Sequence, residues 1–148
     1  MTETSARKLV EQRNRLMARG YPADDLSDER VQALVDLRES YDWGCAFDAA
    51  LVRGYTYRKD GADLGGIDAV VRIVAADEGV NDEMDWIGVF EMADGRYLVV
   101  RAGCDYTGWD CQAGGSHEWY ATEAEALSPN TLTVEERTRL GLPAKETT

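Results

Sequence analysis

Apolar residues recur at helical spacing through the first half of the chain and at strand spacing through the second. Leu9, Arg13, Leu16 and Met17 follow a 3.6-residue repeat and predict a helix over 5–19, which Gly20 ends and Tyr21-Pro22 stops. Ser27 then offers an N-cap, Asp28 and Glu29 supply acids at a helix's positive end, and Val31, Leu34, Val35 and Tyr41 form the stripe of a second helix. Trp43-Gly44-Cys45 interrupts that pattern before it resumes through Phe47, Ala50 and Leu51, so a kink or a junction of two helices is expected there. Tyr55 to Asp63 reads as a polar turn. Ile67, Val70, Val71 and Val74 stand at i, i+3, i+4 and i+7 and predict a further helix closing near Gly79, although their β-branching also suits a strand.

The second half alternates instead. Trp86–Met92 and Arg96–Ala102 are strand-like runs joined across Asp94-Gly95, a pair suited to a tight hairpin. His117–Ala121 adds a third antiparallel strand, and Thr122 caps a short helix around Ala124 to Leu127. Thr133-Val134-Glu135-Glu136 has the capping-box pattern and opens a last helix that Gly141 and Pro143 end. The expectation is an α+β fold in one domain over 1–148. Its helical part spans 5–80, its sheet part 85–121 and its C-terminal helix 133–141, with the helices covering one face of a three-strand meander.

Composition narrows the functional classes. With 28 acidic against 16 basic side chains the net charge is −12, which repels phosphate backbones and anionic lipid, so direct nucleic-acid binding is not expected. The first residues run straight into an amphipathic pattern without a signal-peptide core, and no apolar run reaches the length of a membrane span. A cytoplasmic protein with reduced cysteines is expected.

Candidate chemistry concentrates in Gly103-Cys104-Asp105-Tyr106-Thr107-Gly108-Trp109-Asp110-Cys111-Gln112, read as a loop carrying two thiols, two large aromatics and two carboxylates. Cys45, Cys104, Cys111 and His117 are the possible zinc set, but six residues separate the two loop cysteines where zinc knuckles use about two to four. A Cys104–Cys111 disulfide conflicts with a reducing compartment. Neighbouring carboxylates disfavour a nucleophilic cysteine served by His117 by raising the thiol pKa. Asp105 and Asp110 with Glu118 could divide acid and base roles, yet Asp in a turn most often bonds its own backbone. Tyr106 and Trp109 either fold down over the sheet or face out as a binding hot spot. No cofactor is expected.

A second region, Asp77 to Asp85, has five acids in nine residues, including Asp82, Glu83 and Asp85. It lacks the alternating ligand order of a calcium loop and reads either as a solvated loop or as a surface imitating phosphates that docks on a basic groove. Gly61-Ala62-Asp63-Leu64-Gly65-Gly66 lacks the spacing of a phosphate cradle.

The stretch from Trp86 to Gln112, above all Asp94-Gly95-Arg96-Tyr97 followed by Gly103 to Gln112, resembles one in small uncharacterised proteins of actinobacteria and their phages. That resemblance implies no activity and transfers no residue role. The expected function is non-enzymatic: an acidic protein-binding module acting through Tyr106, Trp109, Asp105, Asp110, Asp82, Glu83 and Asp85. Its sharpest form is a phage-type inhibitor of a host or defence protein. The alternative is an enzyme or zinc-stabilised domain centred on 103–117.

Overall fold

The computed structural model describes residues 3–18, 26–51, 66–105 and 108–143, and within them all side chains except those of 3–5 and 110–112. Helix α1 (Glu3–Ala18) buries Leu9, Gln12 and Leu16 against α2 (Asp28–Glu39), while Met17 is exposed. The Ser27 side chain caps α2 by accepting from the Arg30 N–H at 3.2 Å, and Val31, Leu34, Val35 and Leu37 form the buried stripe. The expected helix stop at Gly20 to Pro22 and the polar turn over 55–63 lie outside the described residues.

The junction between helices falls earlier than the sequence indicates. α2 ends at Ser40, whose extended backbone and Oγ cap the start of α3 (Tyr41–Leu51), with the Trp43 N–H donating to that hydroxyl at 3.1 Å. Trp43, Gly44 and Cys45 are therefore interior helical residues, and Tyr41 belongs to no buried stripe.

Residues 67–79 differ more. A single 3₁₀ turn over Ile67–Ala69 leads into strand β1 (Val70–Asp77), which pairs antiparallel with β2 (Trp86–Met92). The helical spacing of the apolar residues was equally compatible with a bulged strand, and β-branched side chains favour the pleated surface. Among the described residues the sheet therefore begins at Val70 and has four strands rather than three, in the order β1-β2-β3-β4, with β3 at Tyr97–Asp105 and β4 at Gly108–Tyr120. The β2–β3 connection is the expected hairpin: the Met92 N–H reaches the Arg96 carbonyl at 2.9 Å and Gly95 takes φ +90°.

Strand alternation divides two hydrophobic clusters. Phe90, Met92, Leu98, Val100 and Ala102 face α1–α3, where Phe90 meets the Phe47 ring at 5.0 Å and the Trp43 ring at 5.6 Å. Ile87, Val89 and Val99 point the other way and pack against Ala126 and Leu132. The C-terminal segment, with α4 (Glu123–Ala126) capped by Thr122 and α5 (Val134–Arg139) opened by the capping box at Thr133 and Glu136, thus covers the opposite face. Helices lie on both faces of the sheet, not on one.

Ion pairs add to the apolar contact between this second layer and the sheet. Arg101 of β3 donates to Glu136 at 2.6 Å, to Glu118 at 2.7 Å and to the Thr131 carbonyl at 2.6 Å. Arg72 of β1 joins Glu91 and Glu123, and Arg139 of α5 reaches back to Asp77. Arg137 is almost fully buried and donates to the carbonyls of Pro143 and Leu127, closing the segment on itself.

Candidate functional site

Cys104 and its neighbours occupy a hairpin, not a loop. Gly103, Cys104 and Asp105 finish β3, and Gly108 to Gln112 begin β4, with Asp105 opposite Gly108. Scattered glycine, cysteine and aspartate hide the alternation that would have revealed these strands. Tyr106 lies outside the described residues, as do the side chains of Asp110 and Cys111.

The acidic turn lies against this hairpin. Val80 and Met84 exchange backbone hydrogen bonds at 2.9 Å in each direction, closing a tight turn in which Asp82 takes the left-handed φ of +67°. The Asp82 N–H then donates to the Cys104 carbonyl at 2.8 Å, and the Cys104 thiol lies 3.4 Å from Asn81 Oδ1. Two glycines permit the approach. A Cβ at Gly103 would run into the Asp85 carboxylate, and one at Gly79 would stand 2.5 Å from the Trp86 ring. The acidic turn and the β3–β4 hairpin therefore form one end of the sheet, and the N-terminus of α3 adjoins it.

Between them opens a cleft of about 450 Å³ lined by Tyr41, Asp42, Val80, Asn81, Cys104 and the two indoles of Trp86 and Trp109. Trp109 is turned inward: it is 5% exposed, its ring stands 5.0 Å from that of Trp86, and its Nε1 donates to Asp42 at 3.1 Å. Of the two orientations open to it, the one folded over the core is realised, so its indole offers no projecting hot spot. Trp86 is equally buried, and its Nε1–H has no hydrogen-bond partner among the described residues.

What projects is different. Tyr41 is 69% exposed, Val80 43% and Met84 42%, while Asn81, Asp82, Glu83 and Asp85 are all exposed around them. Sequence reasoning passed over Tyr41, Asp42, Val80 and Met84; the available signals were the Tyr41-Asp42 pair after the Ser40 break and the apolar residues set inside an acidic run.

Electrostatics at the cleft suppress thiol chemistry. Partial burial, followed by the carboxylates of Asp42, Asp105 and Asp85, pushes the Cys104 thiol above its ordinary pKa, so it stays protonated at neutral pH. His117 stands elsewhere: it pairs with Val100, four residues along β3 from Cys104 or about 13 Å, and its Nδ1 lies 2.9 Å from the Ala50 carbonyl. The two do not share a ligand sphere, and among the described residues no three His, Cys, Asp or Glu side chains converge to hold a metal. Glu118 pairs with Val99, six residues or about 20 Å along the strand from Asp105. There it bonds Arg101 and Tyr120, so it forms no acid–base pair with Asp105.

No helix among the described residues is long and apolar enough to cross a membrane. Compared with protein-family models, curated proteins and solved structures, the chain matches none.

Proposed function

We propose that this chain is a non-enzymatic binding protein whose sheet end docks on a basic, partly apolar surface of another protein. The observation that carries it is that the exposed Tyr41 and Val80 line one cleft with Asp42, and that the exposed Met84 pairs with Val80 across the turn bearing Asp82, Glu83 and Asp85. Apolar anchors inside a charged rim are the composition of a protein-recognition patch, with the anchors supplying affinity and the carboxylates selecting a cationic partner and speeding encounter. The net charge of −12 extends the same preference over the whole surface. An inhibitor that covers a basic working surface of a host or defence protein is the sharpest form of this role.

The test is retention of a protein from nuclease-treated lysate on the tagged chain, at low and moderate salt. Wild type is expected to retain a specific protein that is lost with Val80→Ser and Met84→Ser together, and to hold it less well with Asp82→Asn and Glu83→Gln or as salt rises. Retention indifferent to both pairs of substitutions, or no specific retention at all, would overturn the proposal. Stoichiometric zinc in the purified protein that is lost in Cys104→Ser would replace it with the metal-stabilised alternative.

A further inference from the structure

The cleft at the sheet end combines groups that ask different things of an occupant. Tyr41, Trp86 and Trp109 bring aromatic rings to its lining and Asp42 brings a carboxylate, while among the described residues no lysine or arginine lines it. Its negative charge is left unbalanced. Asp42 Oδ1 accepts the Trp109 indole N–H at 3.1 Å, a neutral donor that holds the carboxylate in place without neutralising it. Among the described residues neither Asp42 nor Asp85 enters an ion pair, whereas Arg72, Arg96, Arg101 and Arg139 are each engaged by other carboxylates. The charges of Asp42, Asp105 and Asp85 all reach Cys104 in the cleft lining, so their field converges on the same space. A donor completes the set. Trp86 lines the cleft at 4% exposure, and its indole N–H is buried with no partner among the described residues. A buried donor without an acceptor is costly. An occupant that carries a carbonyl oxygen beside a cation answers both demands.

We propose that this cleft takes an arginine residue of the partner protein, its guanidinium at Asp42 among the aromatic rings and its backbone carbonyl serving the Trp86 N–H. The proposal rests on the docking reading above and names the group by which the sheet end recognises a basic surface. Arginine is favoured over lysine on chemical grounds. Its guanidinium is planar and weakly hydrated, stacks on aromatic faces and donates to a carboxylate in a fixed fork, whereas an ammonium is a compact and strongly hydrated point charge.

The geometry suits one such residue. The Trp86 and Trp109 rings are tilted 58° to one another, so they offer a planar guest one face and one edge. Tyr41, 69% exposed, is the ring that gains most burial when a guest enters. A cleft of about 450 Å³ lies within the range of about 300–1,000 Å³ typical of sites for small ligands.

N-acetyl-arginine amide, which carries the guanidinium and its flanking carbonyls, is the probe. Titrated into isotope-labelled protein, it is expected to shift the indole N–H resonances of Trp86 and Trp109 until they saturate. N-acetyl-citrulline amide, which replaces the guanidinium with a neutral urea of the same shape, is expected to bind about tenfold more weakly. Asp42→Asn keeps an oxygen for the Trp109 N–H and is expected to bring the arginine probe down to the level of the citrulline one. The comparison of the two probes is made on wild type, so it decides the matter even where that variant fails to fold. No saturable shift at the two indoles, equal binding of the two probes, or a folded Asp42→Asn protein that binds arginine as wild type does would each overturn the proposal. Failure of the docking reading looks different. A wild type that retains a specific protein from lysate yet ignores the arginine probe leaves docking standing and overturns the arginine site, whereas arginine binding without any retained protein upholds the site and removes the docking reading.

Discussion

Asp82 is the one described non-glycine residue with positive φ, and it sits at the apex of the turn that carries the exposed carboxylates. Left-handed backbone is tolerated by aspartate better than by most residues but still at a cost that glycine avoids. Asp82→Gly is therefore expected to raise stability by about 1 kcal/mol in chemical denaturation, whereas Asp82→Ala lowers it. Since both remove the same carboxylate, any loss of binding common to the two measures the charge rather than the turn. Trp109 makes the contrasting case. Its ring fills the space beside Trp86 and its N–H satisfies Asp42, so Trp109→Ala is expected to cost about 3–5 kcal/mol, read as a fall in denaturation midpoint. Aromatic content alone marked this residue as important. Its inward orientation was one the sequence reading offered, and the structure realises it; what the sequence hid is that the residue stands in strand β4, which reaches back to Gly108 through residues that do not alternate.

Among the elements, those declared by local chemistry were legible and those decided by distant partners were not. Ser27, Thr122 and Thr133 each cap the helix they were expected to cap, because a side-chain oxygen and the N–H three residues on are all that the motif requires. The Asp94-Gly95 hairpin was legible for the same reason. β1 was not: Val70, Val71 and Val74 satisfy a helical template as well as a bulged strand, and pairing with β2 decides between them. The joining of the acidic turn to the Cys104 hairpin was hidden too, since one hydrogen bond spanning 22 residues and two glycine clearances make it. Thr133→Ala should cost about 1 kcal/mol by removing one half of the capping box, seen as a lower melting temperature.

At the scale of the whole molecule, the two sheet faces are not held alike. Both faces bury apolar residues, and the C-terminal layer is tied down further by arginine–carboxylate pairs at Arg72, Arg101 and Arg139. The Tyr120 hydroxyl, and then Arg101 against the opposing effect of burial, hold the Glu118 carboxyl below its usual range. Burial pushes Glu136 upward, but Arg101 and the Thr133 N–H outweigh it and leave it lowered as well. A carboxyl depressed in the folded state stabilises fully above its unfolded pKa of about 4.3 and loses that contribution as pH falls through the folded value. Stability should therefore decline below about pH 5. Glu136→Gln should cost about 2 kcal/mol at neutral pH, a difference that shrinks toward zero in acid when the two proteins are denatured side by side.

Trp86 and Trp109 form an adjoining pair of indoles at the wall of the open cleft, next to the carboxylate of Asp42 and the thiol of Cys104. Such a pair is an optical gauge already installed where an occupant would sit. Anything that displaces water from the cleft, shifts Asp42 or separates the two rings must alter their shared ultraviolet emission and near-ultraviolet dichroism. Occupancy of this end of the protein can therefore be followed on the unlabelled chain, before the identity of the occupant is known.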